Sequence, residues 1–233
     1  MQHKISAIFA LATVTLLACS YDDESGDFAT YDLYLNVDIV ADGSGTSLVW
    51  ANVTSYDGGC CSEVNLTDGD ELVAESQGDE RELIERGYGE YTAEFPIDRI
   101  GAEFRVAFLR DDQPSAKNTT VNLPARFDIT APAEGETFIA REDTIAISWD
   151  RSARDPMRIT LDGTCINSFE ETLTADVGRY LIHPETLEVF GGGCDVEVRV
   201  ERSREGKVDG ALAGGRVTAK QVRFTTIRVE RDW

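Results

Sequence analysis

Tyr31-Asp32-Leu33-Tyr34-Leu35-Asn36-Val37-Asp38-Ile39 is the stretch that decides the fold. Its odd positions are all apolar, and Asp32, Asn36 and Asp38 fall between them. Successive residues of a strand face opposite sides of a sheet, so this run has a core face and a wet face. The same alternation returns in Phe104-Arg105-Val106-Ala107-Phe108 and in Val196-Glu197-Val198-Arg199-Val200-Glu201. Turn residues punctuate these runs at Asp42-Gly43, Asp57-Gly58-Gly59, Asp68-Gly69, Gln77-Gly78, Gly191-Gly192-Gly193 and Arg204-Glu205-Gly206. Helix signals are thin. Asp79 with Glu82 can cap one turn through Leu83 and Ile84, though a strand fits equally well, and Pro184 to Phe190 suits another short turn. The predicted class is all-β.

A weak internal repeat divides the chain. Gly89-Glu90-Tyr91 precedes an expected strand at 103–110, and Gly178-Arg179-Tyr180 precedes one at 195–202. Expected strands at 48–55 and 71–75 pair at similar offsets with 143–149 and 157–161. A period near 90 is the size of one immunoglobulin-type sandwich. A boundary near Pro124 therefore gives two tandem antiparallel β-sandwiches, over 28–124 and 125–233.

The second half carries a resemblance. Phe127-Asp128-Ile129-Thr130-Ala131-Pro132, then Glu134-Gly135-Glu136, then Asp143-Thr144-Ile145-Ala146-Ile147-Ser148-Trp149 resembles bacterial immunoglobulin-like or fibronectin type III-like domains over about residues 126–230. Ile145, Ile147 and Trp149 share one face, so the indole is expected to close the end of a core. No cysteine stands beside the Trp-bearing strand, so the usual immunoglobulin disulfide is not implied.

The N-terminus opens with Lys4 and an apolar run from Ile5 to Ala18, too short for a bilayer span of about 20 residues but proportioned as a secretory signal. Leu16-Leu17-Ala18-Cys19 resembles the lipobox of bacterial lipoproteins. That resemblance implies cleavage of residues 1–18, acylation of Cys19 and anchoring through several acyl chains, with Ser20 matching outer-membrane sorting. Which side of that membrane the protein faces stays open. Cys19 and the polar Ser20–Asp27 segment read as a lipidated residue and an acidic tether, 19–27. The chain holds 22 basic and 43 acidic residues, and cleavage removes only Lys4, leaving a mature charge of −22. That balance excludes nucleic acid as a partner, because phosphate neutralisation needs clustered cations.

Cys60, Cys61, Cys165 and Cys194 form an even set in an exported chain, which points to disulfides. The pairing that respects the boundary is Cys60–Cys61 with Cys165–Cys194. The alternative sends Cys60 and Cys61 to Cys165 and Cys194 and staples the halves together. A Cys60–Cys61 bridge either stiffens its loop or makes a rigid apolar knob for a ligand or partner.

Chemistry-bearing patterns are few. His183 is the only histidine of the mature chain and precedes Pro184; with one histidine no two-His metal site can form. Asp68 and Asp70 offer hard oxygens to Ca²⁺ without the spacing of an EF-hand. Trp50, Tyr56 and Tyr88 are candidate sugar contacts, although strand aromatics usually pack in cores. Arg199, Arg202, Arg204 and Lys207 form a basic spot that Glu197, Glu201 and Glu205 can neutralise. The expectation is a membrane-anchored, non-catalytic envelope protein without a required cofactor, with a binding or structural role toward a protein or glycan partner. The alternatives are a calcium- or carbohydrate-dependent adhesion module, and a hydrolase built on His183 or a carboxylate pair.

Overall fold

A computed structural model describes residues 23–57, 60–87, 89–151 and 154–231, with the side chains of Asp57, Cys60 and Cys61 outside the described set. Eighteen strands and two 3₁₀ turns, Ser25–Asp27 and Thr30–Asp32, account for its regular structure. The first ten strands are β1 (Asp23–Glu24), β2 (Leu33–Ala41), β3 (Ser47–Asp57), β4 (Cys60–Asn65), β5 (Glu71–Ser76), β6 (Asp79–Glu82), β7 (Ile84–Gly87), β8 (Glu90–Phe95), β9 (Glu103–Leu109) and β10 (Ala116–Asn122). There follow β11 (Ile129–Ala131), β12 (Thr137–Ala140), β13 (Ile145–Trp149), β14 (Met157–Gly163), β15 (Phe169–Leu173), β16 (Arg179–Ile182), β17 (Cys194–Glu205) and β18 (Gly214–Arg231). The protein is all-β, with sheets packed as sandwiches. The ambiguous segment at Asp79–Glu82 is a strand, and Pro184–Phe190 forms turns rather than helix.

The alternation of the opening stretch translates directly into burial. Leu33, Leu35, Val37, Ile39 and Ala41 are buried on β2, while the residues between them are half-exposed. Tyr31, expected to open this strand, sits in the preceding 3₁₀ turn and is 71% exposed. Two cores result. The first gathers residues from Leu33 to Leu123, including the edge-to-face pair Phe95–Phe104, and the second runs from Phe127 to Val229.

The cores are not independent of each other. Leu212, Val217 and Ala219, from the far C-terminal part of the chain, lie in the first core. Strand β18 pairs in parallel with β2 over Gly214–Gln221, antiparallel with the whole of β17, and in parallel with β12 over Arg228–Arg231. One sheet, ordered β1-β4-β3-β2-β18-β17-β14-β15, thus runs through both of the predicted tandem sandwiches, and its β2–β18 and β12–β18 pairings are parallel where antiparallel ones were expected. At about 3.3 Å per residue its spine strand reaches roughly 60 Å. Two smaller sheets cover the same face of this spine. The sheet β10-β9-β5-β6 closes the first core and β11-β13-β16 closes the second. Val217 and Ala219 therefore point the same way as Ile227 and Val229.

The expected tether is also partly folded. Asp23–Glu24 adds to the spanning sheet beside Val64–Asn65, and Ser25–Asp27 forms a turn packed against the first unit. Only residues 19–22 of the predicted 19–27 tether fall outside the described chain.

Candidate functional site

Two buried arginines hold the frame together. Arg110, at the end of β9, pairs with Asp70 at 2.9 Å with both side chains nearly inaccessible. Its guanidinium also donates to the carbonyls of Ser25 (2.6 Å) and Phe28 (2.9 Å), clamping the N-terminal segment onto the first unit. Asp70 is thereby committed to a cation of the protein itself. Asp68, in a left-handed conformation before Gly69, belongs to the same turn between β4 and β5. Asp68 and Asp70, the calcium candidates, thus lie in one turn with the Asp70 carboxylate on Arg110, and among the described residues no group of three or more His, Cys, Asp or Glu could hold a metal ion.

Arg202 is the second, fully buried against Asp176 at 2.6 Å. It donates to the carbonyls of Ala125 (2.6 Å) and Asp150 (2.9 Å) and lies 4.8 Å from the ring of Phe127. Asp176 in turn accepts the indole N–H of Trp149 at 2.8 Å, which completes the predicted closure of the core by Trp149. Burial pushes the Arg202 pKa down and Asp176 pulls it back, but an arginine remains charged throughout. The basic spot is therefore dispersed. Arg202 faces inward, Arg199 pairs with Glu201 and lies over Phe224, and Arg204 forks onto Asp155 at 2.8 and 2.9 Å.

Cys165 and Cys194 are disulfide-bonded, with Cα atoms 5.7 Å apart. This removes the inter-unit staple to Cys60 and Cys61. The expected Cys60–Cys61 bridge falls on side chains outside the described set, and Cys19 with the lipobox-like segment lies outside the described residues. His183 lines a small cavity together with Asp143 and Glu185, but no serine, threonine or free cysteine joins them there. The Asp143 carboxylate is already engaged by the backbone N–H of Ile139 at 2.7 Å.

The outer face of the spanning sheet, opposite the cores, carries rows of polar side chains. Register places Glu205, Thr218, Asp38, Trp50, Thr92 and Ile84 in one cross-strand row. Arg216, Asn36 and Asn52 make the next row. Lys220 pairs with Asp38 at 3.0 Å. A cavity of about 430 Å³ opens beside these rows, lined by Arg158, Ser203, Arg204, Arg216, Thr218 and Lys220 among others. Trp50, a candidate sugar contact, is half-buried on this face and not in a core; Tyr56 is 61% exposed elsewhere on the same strand, and Tyr88 lies outside the described residues. Sequence reading missed the site because its members come from strands about 180 residues apart in the chain. The signal available was the polar phase of each alternating strand, which reads as plain solvent exposure.

No protein-family model and no curated protein matches the chain. Among solved structures, it is similar to a two-domain fibronectin type III segment of chicken tenascin at 14% identity and a TM-score of 0.24, over 79% of this chain and 96% of that one. It is also similar to the FN1–FN3 domains of chicken CNTN1 at 11% identity and a TM-score of 0.23, over 88% of this chain and 67% of that one. Such low scores leave the fold assignment resting on the strands and cores of this chain.

Proposed function

We propose that this protein is an exported, lipid-anchored envelope protein with a non-catalytic binding or structural role, held at the outer membrane through Cys19. The observation that carries the reading is the docking of the N-terminal segment at one pole. Leu33, the start of β2, pairs beside Gly214 at the end of the spine remote from the second unit, whereas Ala41 pairs beside Gln221 near the junction. Arg110 fixes residues 25–30 at that remote pole. With Asp23 already in the sheet, residues 20–22 alone separate it from Cys19, a reach of at most about 14 Å. An acylated Cys19 would hold the first unit close to the lipid and carry the second unit away from it.

Intact-mass analysis and fractionation test this directly. The membrane-extracted protein is expected to begin at Cys19 and carry the mass of its acyl chains, and Cys19→Ala is expected to move it to the soluble fraction. A soluble wild-type protein with an unmodified N-terminus would overturn the reading.

A further inference from the structure

The pole of the first unit that faces away from the second carries tyrosines that belong to neither core. Tyr31 is 71% and Tyr56 61% exposed, the highest values for any aromatic side chain among the described residues. With Phe28, Asp32 and Tyr34 they line an open cavity of about 350 Å³. Register explains the grouping. Tyr34 opens the outer phase of β2 opposite Thr54, so Tyr56, two residues further along β3, lies on the same face. Gly214 is the β18 partner of Tyr34, and the Tyr34 ring lies 3.2 Å from where a Cβ would stand there. The turn that presents Tyr31 is fixed from beneath. Thr30 is buried and donates its hydroxyl to Pro114 O at 2.7 Å, and Arg110 holds the Phe28 carbonyl. Exposed aromatics gathered on a rigid support, unlike scattered single ones, mark a contact surface.

What that surface meets follows from where the chain enters. Strand β1 runs parallel to β4 with Asp23 level with Val64, and Cys60 at the other end of β4 pairs with Asp57, just beyond Tyr56. The chain therefore enters β1 from the side of the tyrosines. Ser55, which also lines the cavity, donates to the Asp23 carboxylate at 3.3 Å. Strand geometry puts the level of Asp23 about 13 Å from that of Cys60. Residues 20–22 reach at most about 14 Å, so an acylated Cys19 comes to this pole and not far past it. Tyrosine suits the depth at which acyl chains meet headgroups, with an apolar ring and a hydroxyl that stays wet. Asp32 is the one charged residue among the described lining of the cavity, and no cation joins it. Anionic lipid attracts basic segments, so this lining fits a zwitterionic surface instead.

We propose that this pole is a membrane-contact face, with Tyr31, Tyr34 and Tyr56 seated in the headgroup layer of a zwitterionic phospholipid surface. This rests on the acylation of Cys19 proposed above and adds to it a second, aromatic contact with lipid.

Hydroxyl-radical footprinting, read by peptide mass spectrometry, tests it on membrane-extracted protein whose intact mass shows the acyl chains. On phosphatidylcholine vesicles, oxidation of Tyr31, Tyr34 and Tyr56 is expected to fall severalfold below that in the soluble Cys19→Ala protein. Phe190 and Phe224, exposed on the second unit, are expected to stay equally reactive in both. Combining Tyr31→Ser with Tyr56→Ser in the acylated protein is expected to restore oxidation of Tyr34 and leave the thermal midpoint unchanged. Equal oxidation of Tyr31 and Tyr56 in the vesicle-bound and soluble proteins would overturn the proposal, as would Tyr34 staying protected in the double variant. Stronger protection on phosphatidylglycerol vesicles would overturn the zwitterionic assignment. Protection of the soluble Cys19→Ala protein by maltotriose would place a sugar on the tyrosines and overturn the lipid contact. A mass without acyl chains removes the anchor and this contact together, whereas full oxidation of the acylated, vesicle-bound protein removes the contact alone.

Discussion

At the scale of single residues, the molecule concentrates its polar interior in a few arginines. Arg202 serves the second unit as Arg110 serves the first: a fully desolvated cation gathers carbonyls from segments far apart in sequence. Removing one partner of such a pair strands the other, at a typical cost of about 3–5 kcal/mol. Arg202→Met is therefore expected to destabilise the protein by about that amount in denaturant unfolding, and a loss below about 1 kcal/mol would show that Asp176 finds other partners. None of this was legible beforehand. Arg202 occupies a position in an Arg- and Glu-rich run that reads as a solvated hairpin, and its burial depends on Asp176, which no local pattern connects to it. Trp149 was legible, because Ile145, Ile147 and Trp149 share a phase that only an inward face explains.

At the scale of elements, strand positions were read well and strand partners were not. Alternation marks β2 and β9 within a residue or two and β17 within three, since period-two burial is a local property. Parallel pairing of β18 with β2 joins residues about 180 apart and leaves no local trace. Its enabling residues are glycines where the hairpin between β17 and β18 crosses to the first unit. Gly206 lies against the backbone of Thr120 and donates to Val217 O, and any Cβ there would collide with the Thr120 carbonyl. Asp209 then fastens the hairpin tip, accepting the backbone N–H of Asn118 at 2.7 Å. Burial alone would raise the Asp209 pKa, but the N–H groups of Ala211 and Asn118 outweigh it and hold the carboxyl below its ordinary value. Gly206→Ala is expected to cost about 1–3 kcal/mol and to raise amide exchange in both β10 and the start of β18. Unchanged exchange in β10 would mean the hairpin does not brace the first unit.

At the scale of the whole molecule, the outcome is two cores on one continuous sheet. The inner face of β18 explains how. Val217 and Ala219 meet the first core, Ile227 and Val229 meet the second, and between them stand the buried polar residues Gln221, Arg223 and Thr225. Gln221 donates to Asp98 O of the first unit at 2.9 Å, while Arg223 lies 5.5 Å from the ring of Phe127 and Thr225 bonds Glu134 at 3.0 Å in the second. The division into two cores was visible as a 90-residue period, but their fusion was not, because a repeat speaks for similarity and is silent about a shared strand. Fusion matters for the proposed role, since a shared spine sets the distance between anchor and second unit where a flexible linker would not.

Calorimetric unfolding of the intact protein tests this fusion most directly. The shared strand predicts one transition whose calorimetric and van't Hoff enthalpies agree, with Arg202→Met lowering the midpoint of the whole transition. Two separable transitions, with Arg202→Met shifting only one of them, would contradict the account and restore two independent sandwiches.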